Sequence, residues 1–235
     1  MSTRPDDEDS RTRLLNAAGE IFAVKGFQSA TVREICSRAG ANIAAINYHF
    51  GDKEKLYIEA VKQAHRLRKE QVPMPVWPEG TPPEARLRDF IETMVRRMAV
   101  REMAPWHHQL MMREMASPTR ACLEMVEESI RPEHERLVAL LRELLPPDVT
   151  RLQVDRTAFS IIGQCMFYKF GASVGRILLG DEPYARMAEP ASIAEHIARF
   201  TLDAISCLRS TPRSPAATSG SPETEATAGN LPPAD

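Results

Sequence analysis

Between Thr31 and Asp52 the chain opens and closes helices in quick succession, and this punctuation constrains its fold more than any other feature. Thr31-Val-Arg-Glu34 is a capping box: the Thr31 hydroxyl accepts from the Glu34 backbone N–H while the Glu34 side chain reaches back. The helix it opens is short and ends at Gly40. Asn42 can cap a further helix, Ile43 to about Phe50. Gly51-Asp52 breaks that one and starts a longer helix, to about Gln71. Upstream, Leu14, Ala18, Ile21 and Phe22 follow the spacing of one buried helical face from Ser10 onward. Gly26 supplies the left-handed residue that ends this helix, and Phe27 folds back onto its last turn.

Two short helices about a turn at Gly40 fit a helix-turn-helix, with Ile35, Ala39, Ile46 and Phe50 as the small core between them. Asn42 to Phe50 is then the candidate recognition helix, with Ile43, Ile46 and Phe50 facing the domain core. Its outward positions, Asn42, Ala44, Ala45 and Asn47, are small or hydrogen-bonding. Asparagine pairs bidentately with adenine, and alanine leaves room for a thymine methyl. Tyr48, His49, Lys53 and Lys55 sit where phosphates would pass. Thr31 and Arg33, opening the preceding helix, complete the DNA-binding candidates. Geometry alone leaves alternatives open. A helix-loop-helix with glycine in the turn also occurs in proteins that do not bind DNA. Tyr48 also suits interhelical packing, and His49 an ordinary surface position.

The remaining chain also reads as helical, so the fold class is all-α. Residues 72–83 hold Pro73, Pro75, Pro78, Pro82 and Pro83 and must form a linker or an ordered loop. Helical periodicity resumes over Glu84 to Arg101. Pro105 opens another helix at its first turn. A stretch from Pro118 to Leu145 is interrupted by Pro132. Residues 154–179 form an apolar helix loosened by Gly163, Gly171 and Gly175, and a last helix spans Ala191 to Leu208. The expected organisation is an acidic disordered arm over 1–9, a helix-turn-helix domain over 10–56, and a connecting helix and loop over 57–83. A larger helical domain follows over 84–209, then a disordered tail over 210–235, rich in Ser, Thr, Pro, Ala and Gly.

The net charge of −2 argues by itself against a nucleic-acid partner, but its distribution argues the other way. Residues 10–72 carry a balance of +5, and residues 73–235 one of −4. The chain has no apolar run long enough to span a membrane and no basic-then-apolar leader, so a cytoplasmic, nucleoid-associated protein is expected. Cys36, Cys122, Cys165 and Cys207 are scattered and suit reduced thiols rather than a disulfide framework or zinc site. There is no Gly-rich phosphate loop, no G-x-S-x-G and no H-E-x-x-H, so no enzyme and no cofactor are expected.

The run Ala39-Gly40, then Ile43-Ala-Ala-Ile46-Asn-Tyr-His-Phe50-Gly-Asp-Lys-Glu54-Lys-Leu56, preceded by Thr31-Val-Arg-Glu-Ile35, closely resembles the TetR repressor family over about residues 10–60. Asn42 to Phe50 looks most like its CecR-like subgroup. Two positions depart from the commonest pattern: Asn47 stands where many members have tyrosine, and Ile43 where a polar residue is common. Arg113-Glu-Met-Ala-Ser-Pro-Thr119 also resembles a stretch of CecR-like regulators. The resemblance implies a homodimer on a double-stranded DNA operator, with one helix-turn-helix per subunit. It implies that the helices at about 154–179 and 191–208 form a four-helix dimer bundle. It also implies a small-molecule effector, whose binding shifts recognition helices held about one DNA turn, 34–36 Å, apart.

On the sensor side methionines recur, and methionine adapts to irregular shapes, which suits either an ordinary core or a pocket for apolar or aromatic ligands. The pocket candidates are Met94, Met98, Trp106, Met111, Met115, Cys165, Met166 and Phe170. His107 and His108 are adjacent, project about 100° apart on a helix and cannot both grip one metal, so no metal is expected. The reading is a repressor released by a small apolar or aromatic ligand. The alternative is a helical adaptor that binds a protein rather than DNA.

Overall fold

In the computed structural model, which describes residues 5–100 and 104–210, the signals between Thr31 and Asp52 open three helices, and a fourth precedes them. They are α1 (Pro5–Ser29), α2 (Val32–Ala39), α3 (Ile43–His49) and α4 (Lys53–Gln71). The Thr31 hydroxyl accepts from the Glu34 N–H at 3.2 Å, and the Glu34 carboxylate accepts from the Thr31 N–H at 3.1 Å. Gly40 takes φ 62°, the left-handed conformation, and its N–H reaches the carbonyls of Cys36 and Ser37. Asn42 Oδ1 accepts from Ala45 N–H at 2.9 Å, and Asp52 from Lys55 N–H at 2.8 Å. Each such cap stabilises its helix by about 0.5–2 kcal/mol.

The first helix begins earlier than the sequence reading placed it. It starts at Pro5, so the acidic run Asp6 to Asp9 belongs to its opening turns rather than to a disordered arm. Proline fits the first helical position, where its fixed φ suits the helix and its missing N–H costs nothing. At the other end Gly26, with φ 77° and ψ 172°, kinks the helix.

Eight more helices follow among the described residues: α5 (Pro83–Ala99), α6 (Pro105–Ala116), α7 (Arg120–Met125), α8 (Arg131–Leu144), α9 (Arg151–Phe170), α10 (Ala172–Leu179), α11 (Asp181–Met187) and α12 (Pro190–Ser210). A π turn, Val126–Ile130, joins α7 to α8. Pro132 therefore does not interrupt the chain. Helical backbone runs through Ile130 and Arg131 into α8, and the π turn lies immediately before the proline. The long helix expected over 154–179 is instead divided at Gly171, and α11 was not foreseen. Its anchor is Tyr184, buried in the notch beside Gly175, with its hydroxyl donating to the Tyr168 carbonyl at 2.9 Å. The end expected at Arg101 and the tail beyond Ser210 lie outside the described residues.

Two apolar clusters form. The first joins α1 to α4 with α6 and α7 through Leu14, Phe22, Ile35, Ile46, Leu56, Trp106 and Leu110. The second joins α5, α8, α9 and α12 through Leu87, Phe90, Leu137, Leu141, Ile161 and Ile197. Each fully buried large apolar side chain contributes about 1.5–3 kcal/mol relative to exposure. The proline-rich stretch is an ordered loop. Trp77 Nε1 donates to Asp89 at 2.9 Å, and the Arg136 guanidinium lies 4.8 Å above the Trp77 ring. Buried Arg97 ties the end of α4 to the second cluster, donating to the Val72 carbonyl at 2.7 Å and to Glu133 at 2.9 Å.

Candidate functional site

Helix α3 has barely two turns, and its caps fix how it rolls. Ile46 and Phe50 are buried while Ala45 and His49 are half-buried, so the inward stripe is 45, 46, 49 and 50. The outward stripe is therefore Ile43, Ala44, Asn47 and Tyr48. This corrects two sequence expectations. Ile43 does not face the core but is 54% exposed, and Ala45 is not fully outward but packs against the first cluster. The physical reason is that four consecutive facing positions, i, i+1, i+4 and i+5, complete the contact with α1 and α2, leaving Ile43 on the far side.

Around this stripe the other candidates divide by what already occupies them. Tyr48 is 74% exposed, and its ring meets that of His49 edge-on at 4.9 Å. Asn42 and Arg33 are exposed. Lys55 is exposed, with its ammonium 4.0 Å from Asp52. Lys53 is half-buried, its ammonium 4.6 Å from the Phe27 ring centre and 3.4 Å from the Gln28 carbonyl. The Thr31 hydroxyl is engaged twice by Glu34, as acceptor from its N–H and as donor to its carboxylate at 2.9 Å. Thr31 thus serves first as a cap.

A second arrangement, whose role sequence reading missed, ties α6 to the DNA-proximal helices. Arg113 donates to the carbonyls of Ala23 at 3.4 Å and Val24 at 3.1 Å, in the last full turn before the Gly26 kink. Fully buried Glu114 accepts a short hydrogen bond from the Tyr57 hydroxyl, and others from the Thr119 N–H at 3.2 Å and hydroxyl at 2.9 Å. Burial first, and then the Glu114 carboxylate, push the Tyr57 phenol well above its ordinary range. Tyr57 meets the Phe22 ring edge-on at 4.9 Å. Trp106 lies on Gly19, where a Cβ would come within 2.4 Å of the indole. A signal was available: Glu114 falls four residues after Leu110 on an apolar stripe, and an acid there needs partners.

The expected apolar pocket is not brought together. Trp106 and Met111 lie in the first cluster, Cys165 lies in the second, and Met94 packs against the second. Met115 is 48% exposed, and Met98, Met166 and Phe170 are half-buried. The division arises because α6 packs on α1 and α4 rather than on α5. Burial pushes the Cys165 thiol up to about 12, so it is inert. His107 is 5% exposed with neither ring nitrogen hydrogen-bonded, and His65 Nε2 and His108 Nδ1 are buried without hydrogen-bond partners.

Burial pushes His65 and His107 down to about 4. Arg68 acts on both in the same direction. Lys69 and Arg97 also lower His65, while Glu133 opposes them. The unfolded chain, with imidazoles near 6.5, takes up protons first as pH falls. Stability should therefore hold above about pH 6.5 and fall between about 6.5 and 4, by on the order of 2 kcal/mol per imidazole. Denaturant midpoints measured across that window check this, and His107→Gln should flatten the curve.

Residues 14–60 match the family described as bacterial regulatory proteins, tetR family, and residues 83–205 match the C-terminal domain of the HTH-type transcriptional dual regulator CecR. The CecR protein of Shigella flexneri is 28% identical over 174 residues, which cover 70% of this chain and 77% of that protein. The HTH-type transcriptional repressor AcnR of Corynebacterium efficiens is 40% identical over 65 residues, 27% of this chain and 35% of its own length. In fold, the crystal structure of the putative transcriptional regulator from Pseudomonas aeruginosa PAO1 superposes with a TM-score of 0.61 at 19% identity, covering 87% of this chain and 93% of that one.

Proposed function

This chain belongs to the tetR family of bacterial regulatory proteins, with a C-terminal domain of the CecR type, and from that premise we propose that it is a homodimeric repressor which leaves its operator when an effector binds. As a member of that family it is a DNA-binding transcriptional regulator and not an enzyme. The observation that carries the finer reading is the outward stripe of α3. Ile43 and Ala44 present apolar surface suited to thymine methyls, and Asn47 presents an amide suited to adenine. Tyr48, Lys55 and Arg33 flank them for phosphate contact. Repression is supported by the likeness to AcnR, a transcriptional repressor, whereas CecR is a dual regulator.

Dimerisation is assigned to α9 and α12. They expose Phe159, Phe167, Phe200 and Leu208, large side chains that a solitary subunit leaves in water. The switch runs through α6. Arg113 holds the end of α1 and Glu114 holds Tyr57 of α4, so an effector that moves α6 drags the recognition unit with it. A differential affinity of about 1–3 kcal/mol between the two spacings suffices for regulation.

Asn47→Ala tests the reading most directly. It should cost about 1–3 kcal/mol at one base position and relax selectivity there. Binding-site selection reads this out, and an unchanged sequence preference with uniformly lower affinity would refute base reading by Asn47. By contrast, Lys55→Ala should weaken binding to all sequences alike and reduce the slope of log affinity against log salt by about one. An altered base preference in that variant would remove Lys55 from the phosphate set.

A further inference from the structure

Helix α10 is apolar along most of its length, and such a helix is normally buried, yet α10 buries none of its residues. Val174, Ile177 and Leu178, spaced i, i+3 and i+4, are 56%, 84% and 75% exposed. Leu179 beside them is 48% exposed. Another side of the helix is already occupied. Tyr184 of α11 fills the notch at Gly175, and the Arg176 guanidinium lies 5.8 Å from the Tyr184 ring. Helix α11 therefore holds α10 in place and leaves the stripe of Val174, Ile177 and Leu178 in water.

The stripe continues the face of α9 assigned above to dimerisation. The Gly171 N–H donates to the Phe167 carbonyl at 2.7 Å and the Gly175 N–H to the Gly171 carbonyl at 2.8 Å, so helical hydrogen bonding carries through the bend. Phe167 lies about two turns before Val174 and about two turns after Phe159, so the three return to one side. Area points the same way. The exposed parts of Phe159, Phe167 and Phe200 amount to on the order of 400 Å² per subunit. An obligate homodimer covers about 1,000 Å² or more of each subunit, roughly two-thirds of it apolar. The α10 stripe supplies apolar surface toward that difference. Other occupants fit less well. An anionic membrane surface attracts basic amphipathic helices. Here Arg176 lies 4.0 Å from Asp181 and Arg186 3.8 Å from Glu182, so no basic face accompanies the stripe. Beyond Ser210 the sequence offers Leu231 as its one large apolar side chain, too little to cover α10.

We propose that α10 is an inter-subunit arm, whose stripe of Val174, Ile177 and Leu178 docks on a second copy of this chain and extends the interface beyond α9 and α12. The proposal rests on the dimer reading above and deepens it. In a two-fold dimer the same patch serves both subunits, so each α10 docks on the other copy and the contact is made twice. Helix α11 then has a task within its own subunit: Tyr184, wedged against Gly175 and donating to the Tyr168 carbonyl, sets the angle at which the arm leaves α9.

The test uses the full-length protein. Ile177→Glu combined with Leu178→Glu alters two side chains that contribute little to the packing of a single subunit. By sedimentation equilibrium it should weaken the dimer about tenfold or more, with the helical circular dichroism retained. Leu178→p-benzoylphenylalanine, a change from one exposed apolar group to another, keeps the test open should the glutamate pair fold poorly. On illumination of dimers mixed from isotopically heavy and ordinary subunits, it should give heavy-to-light cross-links to residues 159–208 of the other copy. Cross-links confined to one copy, or a glutamate pair that dimerises as tightly as the parent while Phe159→Asp with Phe200→Asp dissociates, would overturn the arm and leave the dimer reading standing. A parent protein that stays monomeric throughout the concentration range would overturn the dimer reading itself, and the arm with it. Vesicles of phosphatidylglycerol are the remaining probe: parent protein that binds them and loses that binding in the glutamate pair would assign the stripe to a membrane instead.

Discussion

Glu114→Ala should lower the unfolding free energy by about 2–5 kcal/mol, because it strands buried donors that now have a charged acceptor. The Tyr57 hydroxyl, the Thr119 N–H and the Thr119 hydroxyl all converge on this one carboxylate. Removing it leaves a phenol with no acceptor inside the aromatic group of Phe22 and Phe27, and it frees the turn that starts α7. Tyr57→Phe should cost less, about 1–2 kcal/mol, since the carboxylate keeps both Thr119 bonds. Urea midpoints at a constant m-value measure both variants. A Glu114→Ala protein within about 1 kcal/mol of the parent would show that the cluster adds little beyond packing.

Phe159→Asp combined with Phe200→Asp should convert the dimer to a folded monomer and reduce affinity for a two-half-site operator by about 10²- to 10⁴-fold. The two rings are 72% and 60% exposed in the single subunit, so each subunit loses little of its own packing. The DNA loss comes from linkage: once one recognition helix is seated, the second binds as an intramolecular event. Light scattering and operator titration read the two halves of the effect. An unchanged dimer mass would move the subunit interface elsewhere, and a dissociated protein with undiminished affinity would deny the two-site mode.

Much of the DNA-binding unit was legible because its determinants are local. Thr31 and Glu34, Gly40, Asn42 and Asp52 act within a few residues of themselves, and each forms the cap its chemistry dictates. Ile43 was misread because a two-turn helix leaves its roll to distant partners, and hydrophobicity alone does not say which apolar residue turns outward. The pocket was illegible for a stronger reason. Trp106 finds Gly19, Tyr57 finds Glu114 and His108 finds Phe170, pairings across tens of residues with no periodic trace in the sequence. The methionines pointed to adaptable packing, but only the tertiary arrangement shows that α6 sorts them into separate cores. The burial of His107 is of the same kind: its neighbours come from packing that spacing along the chain does not reveal.

The sorting of α6 and α7 into the same cluster as α1 to α4 bears on how such regulators are recombined. A hybrid made by joining residues 1–83 to a foreign sensor cuts the chain at a natural loop but not at a packing boundary. Trp106, Leu110, Met111, Ala121 and Met125 would stay behind with the discarded half, and Phe22 and Tyr57 would face whatever the new sensor supplies. The transplantable unit is discontinuous: the N-terminal helices together with the segment from Pro105 to Met125. A working graft must either carry both pieces or accept a sensor whose equivalent helix already fits against Gly19 and Tyr57.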